Sequence, residues 1–452
     1  MQSNPIQQRI ELICEKWEEA KKHKEARIVR IQCQPDEEDM VDTFYAYMIG
    51  VDTPILDIAF HFDSSCDDIK LFSTQLLKEL EEIINIWNNS QKDDRIDYVP
   101  ILWRPDYAVQ NDDNAAAVFV RNFNRLAKEM DLEKGLFAVA VFKSTARDKK
   151  LVSWLKDAVM AIISPAVRFL IHDTIAAPVF NLLAGDLHAA ITTIPLNINM
   201  PKAMEQVAAM GDPKDPATSY RQLFMKMINA MSSGKENEAE QRGNECIALA
   251  TQHLIKDPYW ITQMVVVYIA LGNDKIRYKK KNETLSYANK AVETAIASQV
   301  HFENDAASVL LAQTLMFRGT VLYVQANYKD SFADYSIAFE IYRKQGNIHL
   351  AVEACRMGGK SAYKNSQRKH AIEILADGAR LGKSIDPVTA RSSTYAGVLE
   401  LLLKSDYANI ISMAEIDEIA RNLYGHDWIK LVRNWKQVPD AEVIQQQELE
   451  AV

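Results

Sequence analysis

Two acidic runs and three histidines are the residues best suited to chemistry in this chain. Asp36-Glu37-Glu38-Asp39 and the trio Asp63, Asp67 and Asp68 are carboxylates of the kind that hold Mg²⁺, a hard cation that takes oxygen ligands. With Lys143 or Arg147 nearby, such a cluster would suit a metal-assisted reaction on a phosphorylated or nucleotide substrate. Capping is the plainer reading. Both runs stand directly before a helical segment, where anionic side chains offset the positive end of the helix dipole. His61, His172 and His188 lie near the ends of apolar runs, and His172-Asp173 has the composition of an acid–base pair. A histidine hydrogen-bonded at a strand end is the commoner arrangement. No Gly-x-Ser-x-Gly elbow marks a nucleophile, and no HExxH or CxxC marks a zinc site.

A phosphate cradle needs glycines for close backbone approach and a lysine for charge. The first strand-to-helix turn, Gln34-Pro-Asp-Glu-Glu-Asp39, has neither, and its carboxylates carry the wrong sign for a phosphate. Gly358-Gly359-Lys360-Ser361 copies the end of a phosphate loop. The leading glycine of that motif is replaced by Ala354, and the residues upstream read as helix, so small residues at a helix–helix contact explain it better.

Elements must position these groups. Six apolar runs punctuate the first half: Arg27–Cys33, Ile55–Phe62, Tyr98–Trp103, Leu136–Phe142, Val167–His172 and Ala189–Ile194. Each is short, nearly continuous in apolar character and rich in β-branched or aromatic residues, the pattern of a strand buried on both faces. Between them run helical stripes: Leu76, Leu77, Leu80, Ile83, Ile84 and Trp87; then Val118, Phe119, Phe123, Leu126 and Met130; then Trp154, Leu155, Val159 and Ile162. A further stripe, Ile10, Ile13, Cys14 and Trp17, marks a leading helix. The alternation predicts a parallel sheet with helices on both faces. Its ligand crevice would lie beyond the carboxyl ends of the strands.

Composition narrows the choices. The chain has 452 residues, with 48% apolar and 25% charged, which fits an ordinary globular protein of two to four domains. Fifteen glycines and fourteen prolines are few, so long helices are favoured over a turn-dense β fold. The net charge is −9; residues 1–210 hold 23 basic and 32 acidic side chains, and residues 211–452 hold 29 of each. An acidic first half disfavours nucleic acid and anionic membrane as partners. No uninterrupted apolar stretch is long enough to insert into a membrane, and the amino terminus lacks an apolar signal core. Cys14, Cys33, Cys66, Cys246 and Cys355 are odd in number and far apart, so free thiols in a cytoplasmic, reducing compartment are expected. The one basic run, Lys275–Lys281, reads as a solvated loop able to touch an acidic partner.

Past Asn197–Thr218, where Gly211, Pro213 and Pro216 mark a linker, internal repetition appears. The step Gly319-x-x-x-Tyr323 recurs as Gly359-x-x-x-Tyr363, forty positions on; Ala326, Tyr328, Ser331, Tyr335 and Ala338 follow the first, and Ala371, Leu375 and Ala379 the second. Gly234, Ala239 and Cys246 mark another unit, and Tyr268, Gly272, Ala288 and Ala291 a fourth. This stretch, about 216–385, resembles the tetratricopeptide-repeat family. The resemblance implies paired antiparallel helices packed at Gly319, Tyr328, Tyr335, Ala338, Gly359 and Ala371. It implies a concave groove lined from the first helix of each pair, with Arg318, Gln325, Arg356 and Lys360 as candidate partner-binding residues. The family period is about 34 residues, so a lengthened link after Phe339 is expected here, with residues 275–281 inserted at the turn of the fourth unit. Ala396–Leu403, Ile416–Leu423 and Trp428–Trp435 read as closing helices. The first half resembles the core of signalling-type P-loop ATPases that couple such a domain to helical repeats, without the Walker A residues that would hold nucleotide.

The expected fold is therefore an α/β parallel-sheet domain followed by an all-α tetratricopeptide-like helical repeat domain. The divisions are a leading helix (1–24), a degenerate nucleotide-binding-like α/β domain (25–200), a linker (201–217), the repeats (218–436) and a flexible tail (437–452). The expected role is a non-enzymatic adaptor or chaperone-like protein, bacterial and cytoplasmic, that needs no cofactor and holds a peptide or helix of a protein partner in the groove. The alternatives are a Mg²⁺-dependent enzyme acting on a phosphorylated substrate and a nucleotide-responsive signalling switch. Nothing in the sequence sets an oligomeric state.

Overall fold

The structure, a computed structural model, describes residues 4–50, 53–90, 100–142, 149–302 and 305–435. The chain divides into two compact units, residues 1–207 and 208–452.

The first unit is an α/β domain. Its elements are α1 (Pro5–Ala20), β1 (Ile28–Cys33), α2 (Glu38–Ile49), β2 (Ile58–Phe62), α3 (Ile69–Ser90), α4 (Ala117–Glu129), β3 (Ala138–Phe142), α5 (Lys149–Met160), β4 (Val167–Thr174), α6 (Asn181–Asp186), β5 (Ile191–Pro195) and α7 (Met200–Ala208). The strands are all parallel, in the order β2-β3-β4-β1-β5. Alternation sends Ile28, Ala138, Ala140, Phe169 and Ile171 into one core with α3, α4 and α5. The residues between them, Val29, Ile31, Val139, Val141 and Leu170, enter a second core with α1 and α2. Every residue of β3 and β4 is buried, as expected for strands covered on both faces.

Five of the six apolar runs contain strands. The sixth, Tyr98–Trp103, does not form one over its described part, and Tyr98 and Val99 lie outside the described residues. Its backbone is satisfied by a side chain instead. The Asn88 amide donates to the Ile101 carbonyl at 2.9 Å and accepts from the Ile101 N–H at 3.1 Å. Trp103 is buried for packing, with its indole N–H on the Asn122 carbonyl. Strand β2 starts at Ile58 because Asp57 is turned inward. Its carboxylate accepts from the Trp17 indole (2.8 Å) and the Phe137 N–H (2.9 Å) and pairs with Lys21 (2.9 Å), which ties α1 to the sheet.

The second unit is a tetratricopeptide-like helical repeat. Four hairpins follow one another: α8 (Pro216–Ser232) with α9 (Glu236–His253), α10 (Trp260–Arg277) with α11 (Lys281–Ser298), α12 (Ala306–Val324) with α13 (Tyr328–Lys344), and α14 (Ile348–Lys364) with α15 (Arg368–Arg380). The closing helices are α16 (Pro387–Ser392), α17 (Tyr395–Leu403), α18 (Met413–Tyr424) and α19 (Trp428–Arg433), and α17 packs on α14 and α15 where the next hairpin would begin. The stretch expected as a linker is helical over Met200–Ala208.

Five turns in this unit share one geometry. Gly234, Lys279, Ala326, Gly346 and Ser366 are left-handed, with φ of 69°, 56°, 62°, 69° and 59°. At each, the next residue's N–H reaches back to a carbonyl five positions earlier, as Asn327 does to Leu322 at 2.9 Å. That is the Schellman cap, which satisfies helix-end carbonyls while reversing the chain. The links on either side of Gly346 and Ala326 are therefore equally short. The forty-residue spacing arises from two 17-residue helices, α13 and α14, and not from a long link after Phe339. Residues 275–281 likewise insert nothing: Lys275 to Arg277 complete α10 and the same short turn follows.

Helix α12 is long and apolar enough to cross a membrane by length and composition, with mean hydropathy 1.3. Here it is a core helix of the array, and it carries Arg318 in an ion pair.

Candidate functional site

In the α/β unit, β1 lies between β4 and β5, and open parallel sheets take ligands beyond the carboxyl ends of their strands. Toward that edge, Arg30 and Asp173 are committed to one another. Arg30 is buried and forks onto Asp173, Nε to Oδ1 at 3.0 Å and a terminal nitrogen to Oδ2 at 2.9 Å, with Asn181 accepting at 2.8 Å. Asp173 also accepts from the Phe180 N–H. Neighbouring His172 points to the other face of β4, where its Nδ1 lies 3.1 Å from the Tyr45 hydroxyl. Adjacent strand residues face opposite ways, so His172 and Asp173 are not an acid–base pair. Burial pushes the His172 imidazole below its ordinary value and the Tyr45 phenol above its own. His61 sits 3.8 Å from Asp63, and His188 is exposed.

The acidic runs do not converge on an ion. Glu37 is buried and accepts from the Gln34 N–H at 2.9 Å and the Ile198 N–H at 2.7 Å, so it clamps two chain segments. Glu38 and Asp39 open α2, and Asp68 caps α3 through the Lys70 N–H at 2.8 Å. Among the described residues, the acidic, imidazole or thiol side chains close enough to share an ion are Glu236, Glu240 and Glu283, within 4.8 Å of one another in the other unit. Lys143 and Arg147 lie outside the described residues.

Those three glutamates surround Lys275. Its ammonium bonds to Glu236, to Glu240 at 2.7 Å and to Glu283 at 3.1 Å, and its side chain is 1% exposed. Burial alone would lower the Lys275 value, but the three carboxylates hold it above the ordinary range. The expectation of a solvated loop fails at this residue because its neighbours in the run, Lys279 and Lys280, occupy the turn while Lys275 lies in the last turn of α10.

Packing between hairpins uses close approaches. A methyl on Gly319 would lie 3.1 Å from the Tyr335 ring, and one on Gly359 would lie 2.7 Å from Leu375. The Ser331 hydroxyl donates to the Gly319 carbonyl at 2.8 Å and is 2.9 Å from the Ser361 hydroxyl, joining α12, α13 and α14. Tyr335, Ala338 and Ala371 are fully buried, and Tyr328 stands edge-on to Tyr323.

The groove candidates separate. Arg318 forks onto Asp334 at 2.8 Å through both nitrogens, and Gln325 donates to the Lys281 carbonyl at 2.9 Å. Arg356 is buried, paired to Glu353 at 2.8 and 2.6 Å, and covered by Trp435. Lys360 lines an open cleft of about 330 Å³ with Tyr323, Tyr363, Lys364, Leu401 and Lys404. Tyr363, Lys364, Leu401 and Lys404 were not singled out as site residues from the sequence. The signal that could have found them is a step of three or four residues from Lys360 along one helix, then the same face on the helix that continues the stack. A smaller cleft of about 80 Å³ lies one repeat earlier, with Ile276, Val321 and Val324 flanked by Lys279, Lys280 and Lys281.

No protein-family model and no curated protein matches the chain. Solved structures similar to it include the apo form of RapI, at 11% identity and a TM-score of 0.37, covering 84% of this chain and 82% of that one. Another is a signal transduction ATPase with numerous domains bearing a tetratricopeptide repeat sensor, from Pyrococcus horikoshii, at 9% identity and a TM-score of 0.23, covering 95% and 96%. At scores this low neither determines what this chain does.

Proposed function

We propose that this protein is a non-enzymatic adaptor that holds a protein partner against its helical repeats. The observation that carries the reading is the pair of clefts between the carboxyl-terminal halves of alternate helices, α10 with α12, and α12 with α14 and α17. Helix pairs stacked in series bury a continuous core and leave an extended surface on which a peptide or helix can lie. In the α/β unit, Arg30, Asp173 and Glu37 toward the carboxyl edge of the sheet are bonded to the fold's own atoms, which favours a scaffold over a reaction centre.

The test uses the full chain with an aromatic photo-crosslinking amino acid in place of Tyr323, whose ring lines the larger cleft, or, as control, of Lys369 on α15, whose side chain is 81% exposed. A protein adduct of defined mass at position 323 and none at 369 is expected. Equal labelling at both positions, or none at either, refutes the reading. An ultraviolet spectrum of the purified protein, followed by denaturation, should release no nucleotide. Stoichiometric release would replace the adaptor by a nucleotide-responsive switch.

A further inference from the structure

We propose that the cleft bounded by α12, α14 and α17 binds a phosphorylated side chain of the protein partner, a phosphomonoester on serine or threonine. The proposal rests on the adaptor reading and adds the chemistry of what the groove recognises.

Three ammonium groups, Lys360, Lys364 and Lys404, line this one cleft. They come from two helices far apart in sequence, so the stack itself gathers them. Lys364 is exposed and makes no ion pair with a carboxylate among the described residues, while Lys404 is paired with Glu400. Positive side chains near helix carboxyl ends are common, because they offset the dipole there. Lys364 and Lys404 stand at such ends, and Lys360 stands a full turn before the end of α14 on the side that lines the cleft. Tyr363 contributes its ring to the wall of the cleft, while its hydroxyl oxygen is buried away from solvent.

The donor set selects the ligand. A carboxylate is planar, offers two oxygens, and is recognised best by the fork of an arginine. No arginine lines this cleft. Three lysines are separate point charges around a volume, and a phosphomonoester presents three oxygens and nearly two negative charges to them. The Tyr323 and Tyr363 rings and Leu401 supply apolar walls for the residues on either side of the phosphate. Free phosphate would leave those walls uncovered, so a peptide is the occupant that uses the whole site.

The experiment immobilises the full chain and offers it two degenerate peptide libraries, identical except for phosphoserine or serine at the central position. The tightest phosphopeptide is then titrated by fluorescence anisotropy. We expect enrichment from the phosphoserine library alone and weakening of about tenfold or more on removal of the phosphate. Lys360→Gln with Lys364→Gln should weaken the phosphopeptide by a similar factor with unchanged melting temperature, and Tyr363→Phe, which keeps the ring that lines the cleft, should leave binding unchanged. Equal capture of both libraries, preference for Asp- or Glu-rich peptides without regard to phosphate, or undiminished binding by the lysine variant overturns the proposal. So does inorganic phosphate competing as well as the peptide, since the site would then be for the free ion. If the crosslink at position 323 persists in phosphatase-treated extract, the adaptor reading stands and the phosphate proposal falls. If no crosslink forms in either extract, both fall.

Discussion

Replacing Lys275 by methionine should cost the repeat unit about 2–3 kcal/mol at neutral pH. The removal of one partner from a buried ion cluster costs about 3–5 kcal/mol. The partners here, Glu236, Glu240 and Glu283, are 18%, 38% and 47% exposed, so water screens part of the penalty and the lower figure applies. Methionine keeps the apolar stem in place, which separates loss of charge from loss of packing. What remains is three carboxylates within 4.8 Å, with Lys280 still 2.8 Å from Glu236 and the Tyr287 hydroxyl still on Glu240. For a unit of this size the melting temperature should fall by about 5–10 °C, read by circular dichroism. The pH dependence carries the sign. The hydrogen bonds from Lys275 hold Glu236 and Glu240 below their ordinary value of 4.5. Carboxylates lowered in the folded state contribute stability that is full above 4.5 and is lost as pH falls through the lowered values. In the variant those carboxylates repel one another and gain from protonation, so the gap to the parent protein should narrow on acidification. Ca²⁺ should also raise the melting point of the variant and not of the parent, because the ammonium that neutralised the three oxygens is gone. No loss at neutral pH, or a loss of the same size in acid, would refute the assignment of Lys275 as the cluster's counter-ion.

Three further outcomes follow from the geometry. Ala326→Gly and Ser366→Gly should each stabilise the repeats by about 0.5–1 kcal/mol in urea titrations, since both residues hold left-handed φ at Schellman turns and glycine adopts that region freely. Gly359→Ala should destabilise by about 1–3 kcal/mol in the same assay, because its methyl would stand 2.7 Å from Leu375. The α/β unit should lose stability as pH falls below 6.5, the ordinary value for histidine: burial holds His172 below it, so the unfolded chain binds the proton first, and His172→Asn should flatten that part of the melting-temperature profile.

Much of the architecture was legible from local pattern. Runs such as Leu136–Phe142 carry the continuous apolar pattern of a strand covered on both faces, and Gly319 with Gly359 marks the stack. The misses share a cause. Tyr98–Trp103 has the composition of a strand, but the Asn88 amide occupies the backbone groups that a neighbouring strand would use. A long link was expected from the spacing of Gly319 and Gly359, although longer helices satisfy the same spacing. Three of the five Schellman turns place Lys279, Ala326 and Ser366 where glycine would have been the visible sign.

The sequence by itself determined most of the helices and strands, and that a sheet domain precedes a repeat array. Those properties come from periods of two and of about 3.6 residues, which neighbouring side chains write along the chain. Tertiary structure alone decided what each polar group does. Arg30 meets Asp173 across 143 positions, Glu37 meets Ile198 across 161, and Lys275 meets Glu236 across 39. Partners at such separations leave no periodic trace, because a buried charge needs only one counterpart in space and the fold can draw it from any segment it brings near. The same holds for the lysine-lined cleft: Lys360 was visible as a polar residue on a helix, but its neighbours Lys404 and Leu401 reach it only once α17 has packed on α14.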